Sequence, residues 1–230
     1  MSTLAASSAP APASTPVGSL RALALSTAAF ALCFTAWGLI APLAPAYRDR
    51  YGLSLTAAGV LVAVPVLLGA LLRIPIGMLT ERYGARVVFP LLALSLVVPL
   101  VLAALSSSFI GLLLAALLLG TAGASFVVGI PFVAAWYPPR LQGFALGIYG
   151  AGNIGTGAAA FLAPRLAEAW GLAAVFWLFV PLMVACAALF WAFAREAPAF
   201  SPRRATLAER TRVLAERPVV WVLGLFYFVC

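Results

Sequence analysis

Residues 57–86 read AAGVLVAVPVLLGALLRIPIGMLTERYGAR. From Ala57 to Leu79 one charge, Arg73, interrupts an otherwise apolar run, and at about 20 residues per bilayer crossing the run is long enough to span a membrane. Glu81, Arg82 and Arg86 then crowd into a few residues before the next apolar run opens at Val87. A segment apolar on every face belongs either in lipid or in the core of a large soluble protein. Composition decides between them. Of 230 residues, 65% are hydrophobic and 9% charged, whereas soluble domains sit near half and a quarter. A soluble surface needs polar cover that this chain cannot supply, and lipid removes the need.

Working outward, the pattern repeats. Apolar spans are expected near 22–46, 57–79, 87–105, 109–136, 142–164 and 171–194, giving six helices. Residues 1–20, rich in Ala, Ser, Pro and Thr, read as a disordered leader. Ala44-Pro45-Ala46 resembles a signal-peptidase site, but the run before it is too long for a signal sequence. The six-helix bundle is expected over 21–194, a basic inter-bundle linker over 195–217, and the truncated start of a seventh helix over 218–230. The expected fold class is therefore all-α: a polytopic membrane protein, here the first bundle of a two-bundle protein whose second bundle lies beyond residue 230. Residue-level repetition between spans one to three and four to six is faint, as inverted repeats can be.

The net charge of +8 is carried by arginine, since Lys and His are absent. An arginine-rich chain can signal nucleic-acid binding, but these arginines lie in short gaps between apolar runs, where topology alone requires them. Ten of the fourteen fall in leader, linker and alternate loops that share one side, among them Arg21, Arg82, Arg86, Arg140 and Arg195. Arg48, Arg50 and Arg165 fall on the other. Basic residues are retained inside, so the N-terminus is expected in the cytoplasm and the protein in the inner (plasma) membrane, without a nucleic-acid partner. Cys33, Cys186 and Cys230 lie in apolar runs and suggest neither a disulfide framework nor a metal site. No cofactor is implied.

Arg73 is the one charge inside a span, where a central arginine costs about 2.5–3.5 kcal/mol on insertion scales. No Asp or Glu lies deep in any of the six spans, so an anionic ligand is the obvious partner. Its planar fork suits a flat oxyanion and stays charged at any relevant pH. The alternative is a guanidinium that snorkels toward the headgroups, since Glu81 lies about 12 Å further along the helix. Span five holds a second constellation, Gly147-Ile148-Tyr149-Gly150-Ala151-Gly152-Asn153-Ile154-Gly155-Thr156-Gly157. It contains a formal G-x-G-x-x-G, but a dinucleotide site needs a preceding strand, and this string sits inside an apolar span. Glycines here permit close helix packing or direct approach of a ligand to the backbone, and Asn153 can donate to an oxyanion. Tyr149 can donate near such a site or bond a neighbouring carbonyl.

The string from Gly77 through Glu81, Arg82 and Gly84 to Arg86 resembles the loop signature of the major facilitator superfamily, with Glu81 where the usual residue is Asp. Ser125-Phe126 through Trp136-Tyr137-Pro138, Gln142 to Gly147, and Gly150-Ala151-Gly152-Asn153-Ile154-Gly155 are similar to the nitrate/nitrite porters of that superfamily. The resemblance implies twelve or more spans in two bundles that rock about a central site. It implies that Arg73 binds the substrate, that Gly150, Gly152, Gly155 and Asn153 form the family's fifth-helix signature, and that Phe34 and Phe126 sandwich the planar anion. For these two rings, lipid or helix contact is the competing reading. Gly77, Glu81, Arg82, Gly84 and Arg86 would form the gating loop, and a second arginine would come from the other bundle. The expected function is alternating-access transport of nitrate and/or nitrite, with exchange favoured over proton symport because the spans hold no carboxylate or histidine to carry a proton. Transport of another small anion, such as cyanate or a carboxylate, is the alternative. A membrane sensory subunit would need an output domain beyond residue 230, and an enzyme would need an acid, His or Cys cluster that the chain lacks.

Overall fold

The computed structural model describes residues 16–198, 200–202, 219, 221 and 222. Over the described residues the chain runs back and forth in six helical passes. Pass one is α1 (Ser19–Gly38) continued by α2 (Ile40–Tyr51), pass two is α3 (Leu55–Tyr83), and pass three joins α4 (Ala85–Ser95) to α5 (Val97–Leu105). Pass four runs from α6 (Phe109–Leu119) through a 3-10 turn, Gly120–Ala124, into α7 (Ser125–Trp136). Pass five runs from α8 (Pro139–Gly150) through a second 3-10 turn, Ala151–Asn153, into α9 (Ile154–Trp170), and pass six is α10 (Leu172–Phe193). The described residues contain no strand. Most of the expected leader, the linker beyond Pro202 and nearly all of the expected seventh helix fall outside the described residues.

Connections of one to three residues reverse the chain each time, and local chemistry explains where. Gly52, Gly84 and Gly171 take φ of 61°, 83° and 86°, which let each preceding helix stop and the next begin almost at once. Ser54 and Ser108 cap α3 and α6, their hydroxyls accepting the backbone N–H of Ala57 at 3.1 Å and of Gly111 at 3.2 Å. Helix begins at Ser19, three residues before the first expected span, and α2 continues to Tyr51 past the expected end at residue 46. Arg48 and Arg50 occupy its last turn, where cations favour the helix dipole.

Passes one, two, three, four and six are long and apolar enough to cross a membrane. Pass five, also expected to span, is not among them. The sequence shows why: Gln142, Asn153, Thr156 and a glycine in nearly every turn dilute its apolar content.

Passes one, three, four, five and six supply most of the core. The rings of Phe89 and Phe190 stack at 4.8 Å between passes three and six, and Phe132 of pass four meets Phe190 at 5.8 Å. Pass two lies outermost, with only 17% of its apolar window buried, and Leu67, Leu71 and Ile74 face outward. Apolar area of this extent marks lipid or another protein surface. Its attachment is a backbone crossing. A β-carbon on Gly69 would lie 2.8 Å from the Gly120 carbonyl oxygen, and one on Gly123 would lie 3.4 Å from the Gly69 α-carbon. Only glycine allows helices this close.

Candidate anion-binding site

The buried centre of the bundle is aromatic, and Phe30 organises it. Its ring meets Phe34 edge-on at 4.3 Å, stacks on Tyr149 at 4.8 Å and tilts against Phe126 at 5.5 Å. Phe34 and Phe126, expected as a sandwich, are thus joined through a third ring, with Phe34 buried and Phe126 half-buried. Tyr149 donates to the Ser125 carbonyl at 2.9 Å and to the Phe126 carbonyl at 3.3 Å. Of the two roles open to Tyr149, the structure shows the carbonyl bond. That bond also requires Gly129, because a β-carbon there would collide with the Tyr149 ring.

Arg73 lies half-buried on α3, one turn beyond the Gly69 crossing. Passes two and four run in the same direction. Arg73 is four residues past Gly69 and Phe126 three past Gly123, so at about 1.5 Å per residue the two sit at nearly the same depth. The crossing therefore sets the backbones of Arg73 and Phe126 at one level, about 5 Å beyond the glycine contact.

The glycine string of pass five has two faces. Gly152 packs against the Phe30 ring, and a β-carbon on Gly155 would strike the Ala31 carbonyl and come within 2.8 Å of the Thr35 nitrogen. These two glycines hold pass five against pass one. Gly147, Gly150 and Gly157 meet nothing within 4 Å, and Asn153 is exposed beside them, its amide donating to the Gly150 carbonyl at 3.0 Å. The string that reads as one signature thus does two jobs: Gly152 and Gly155 allow close packing, while Gly150 and Asn153 lie on a face this bundle leaves open.

At the end of pass two, Gly77 meets nothing within 4 Å, and Arg82 is exposed with its guanidinium 5.0 Å above the Tyr83 ring. Glu81 lines a cleft of about 540 Å³ with Thr80, Phe132, Gln142 and Glu196. Gln142 braces that cleft by donating to the carbonyls of Ala134 at 3.0 Å and Tyr137 at 3.2 Å. Glu196, just past pass six, accepts the backbone N–H of Arg86 at 2.7 Å and lies against Gly84, where a side chain would collide with it. Burial pushes the Glu196 carboxyl above its ordinary value, opposed by the backbone N–H groups of Arg86 and Ala85 and by the Arg86 charge.

A family model described as "Major Facilitator Superfamily" matches residues 26–230. The chain belongs to the major facilitator superfamily. Among relatives of this superfamily member, "Probable nitrate/nitrite transporter NarK2" of Mycobacterium tuberculosis is 35% identical over 92% of this chain and 54% of its own. "Probable nitrate/nitrite antiporter NarK1" of Thermus thermophilus is 40% identical over 72% of this chain and 39% of its own. "Nitrite extrusion protein" of Bacillus subtilis is 33% identical over 90% of this chain and 52% of its own. The chain spans about half the length of these relatives. The crystal structure of a bacterial homolog of the human lysosomal transporter Spinster, inward-facing and unoccupied, superposes with a TM-score of 0.72 at 22% identity, over 92% of this chain and 52% of that one. That likeness supports the fold alone.

Within this superfamily member, three participants escaped the sequence reading. Phe30, the hub of the aromatic centre, stands one helical turn before Phe34, a spacing that marks a shared face and was available to find it. Trp37, whose ring lies 5.3 Å from Phe34, has a buried indole nitrogen with no hydrogen-bond acceptor among the described residues. Glu196 meets Arg86 across 110 residues of sequence, a separation at which local pattern carries no signal.

Proposed function

We propose that the protein is the first bundle of a nitrate/nitrite transporter of the inner (plasma) membrane, with a cytoplasmic N-terminus, that carries a flat monovalent anion by alternating access. The observation that carries this reading is Arg73, a charge within an apolar pass at the depth of the Phe30–Phe34–Phe126 cluster, in a chain whose relatives are named for nitrate and nitrite. The planar guanidinium supplies two parallel donors to a planar oxyanion, the aromatic edges nearby exclude water, and exclusion strengthens the charge–charge attraction. Gly150 and Asn153 face outward from this bundle, where a second bundle closes the site over the anion. Gly77, Glu81, Arg82, Gly84 and Arg86 then work as the gating loop at the cytoplasmic end.

An empty site would bring Arg73 against a second arginine from the other bundle with nothing to neutralise them. That repulsion disfavours closure without cargo and couples entry of one anion to exit of another. No span-embedded carboxylate or histidine offers a proton route in this bundle.

The test is nitrate and nitrite flux into proteoliposomes carrying the full-length protein, wild type beside Arg73→Lys, with nitrite or nothing inside. Flux that requires the preloaded anion and is lost in the variant supports an arginine-gated exchanger. Uptake that persists unchanged with lysine at this position, or that is absent for both anions, defeats the anion-site reading.

A further inference from the structure

The sequence sets Arg165 just past the fifth expected span, but α9 runs on to Trp170 and so encloses it within pass five. Its α-carbon lies five residues, about 7.5 Å, before the end of the pass. The guanidinium does not reach outward from there. It folds back by one turn, donating to the Phe161 carbonyl at 2.6 Å and lying 3.6 Å over the Phe161 ring. Among the described residues no carboxylate is paired with it. Glu168, one turn further on, lines a groove with Pro42, Pro45 and Pro164 between passes five and one.

Asn153, Gly157, Phe161 and Arg165 follow one another at intervals of four residues, which puts them in one row along the helix. All four are exposed in this bundle, and Gly157 meets nothing within 4 Å. The other face is closed. Gly155, Ala159 and Ala163 are buried, and a β-carbon on Gly38 of pass one would lie 3.0 Å from that of Ala159. An arginine or an amide turned to lipid within a pass is costly, so the row belongs against water or the second bundle. From the pass end inward it presents a guanidinium on a ring, then bare backbone, then the Asn153 amide, over about 18 Å between the first and last α-carbons.

We propose that Arg165 is a staging site for the transported anion, at the end of the bundle away from the Glu196 cleft. A small planar oxyanion is captured at the guanidinium and passes along the row, by Gly157, to Asn153. Stacking on Phe161 occupies the face of the guanidinium and fixes its place, while its edge keeps N–H donors for the anion. A positive charge at the mouth of a path raises the local anion concentration and speeds capture by about tenfold or more. Arg73 then governs occupancy of the central site, and Arg165 governs arrival. This role rests on the reading of the protein as an anion transporter with a cytoplasmic N-terminus, which makes this end the outer one.

The experiment measures initial nitrate uptake by right-side-out membrane vesicles that contain the full-length protein and are loaded with nitrite. At nitrate far below KM, Arg165→Gln should lower the rate about tenfold, and at saturating nitrate it should match the wild type. Arg50→Gln removes an equal charge at the same end, from pass one, and at physiological ionic strength should change neither rate. Arg165→Cys should behave as the glutamine variant until treated from outside. A trimethylammonium methanethiosulfonate should then restore most of the rate and a sulfonate one lower it further, with the wild type unaffected by both. A packing role for Arg165 would not depend on the sign of the added charge. The proposal is overturned by an unchanged low-nitrate rate in Arg165→Gln, by a deficit that persists at saturation, or by equal effects of the two reagents. Failure of both reagents to react would show that lipid or the second bundle covers the row, and a deficit confined to vesicles rich in anionic lipid would assign the guanidinium to a lipid phosphate; either overturns it too. Arg73→Lys in the same vesicles separates the two readings. If that variant keeps wild-type flux, the central anion site fails; if it abolishes flux while Arg165→Gln does nothing, only the staging site fails.

Discussion

The Glu196 carboxylate accepts the Arg86 backbone N–H at 2.7 Å, so the segment after pass six caps the helix that begins pass three. A carboxylate at a helix N-terminus satisfies donors that the helix cannot and complements its dipole. Here the cap comes from a residue 110 positions away and fastens the end of the bundle where Glu81 and Gln142 share a cleft with it.

Replacing the cap tests its strength. Glu196→Ala should lower stability by about 1 kcal/mol, the usual cost of losing a helix N-cap, read as a lower unfolding temperature of the full-length protein in detergent. An unchanged transition would mean that the contact is incidental.

The same carboxyl carries a pH dependence. Burial raises its folded pKa above the ordinary value of 4.5, so the folded state binds the proton more tightly than the unfolded one. The stability that this proton linkage adds to the cap is complete below pH 4.5 and is lost as pH rises through the elevated folded value. Glu196→Gln, which does not titrate, should flatten that segment of the stability-versus-pH curve. A variant curve parallel to the wild type across the window contradicts the assignment.

Gly84 faces two constraints at once. With φ 83° and ψ 157° it occupies a region essentially reserved for glycine, and a β-carbon would collide with Glu196. Gly84→Ala is expected to cost about 1–3 kcal/mol from the backbone alone and to displace the cap. In a double-variant comparison, adding Glu196→Ala to Gly84→Ala should then cost less than Glu196→Ala in the wild type. Full additivity would show that the two residues act independently.

The sequence announced some of this and hid the rest. Six apolar runs gave the passes because span length and hydrophobicity are local properties, and the glycines of the turns stood where helices must stop. Pass five was legible as helix but not as broken: the 3-10 turn at Ala151–Asn153 and the division of its glycines between packing and open faces depend on which pass lies beside it. Gly152 and Gly150 look alike in sequence. Only the position of Phe30 separates them. Arg73 stood out because a charge in an apolar run is conspicuous alone, whereas its depth relative to Phe126 follows from the Gly69–Gly120 crossing, which no single segment encodes.

The two faces of pass five are separable by substitution. Gly155→Ala drives a methyl group into the Ala31 carbonyl and the Thr35 nitrogen, and should destabilise the full-length protein by about 1–3 kcal/mol, the range for overpacking. Gly157→Ala points into open space in this bundle and should leave the unfolding temperature near wild type or raise it slightly. Equal losses at both positions would show that the Gly157 face is as closely packed in the whole protein as the Gly155 face.

Trp37 offers a test in which structural and functional roles move different quantities. Its indole N–H is buried without an acceptor among the described residues, beside Phe34, and such a donor costs about 1–3 kcal/mol while it remains unpaired. If the transported anion accepts that N–H, Trp37→Phe should raise KM for nitrate or nitrite uptake about tenfold, the equivalent of one hydrogen bond to a charged group. The same change removes an unsatisfied donor while keeping an aromatic ring, so the unfolding temperature without anion should hold or rise. A purely structural tryptophan would give the reverse, with KM unchanged and stability lowered by the lost ring volume.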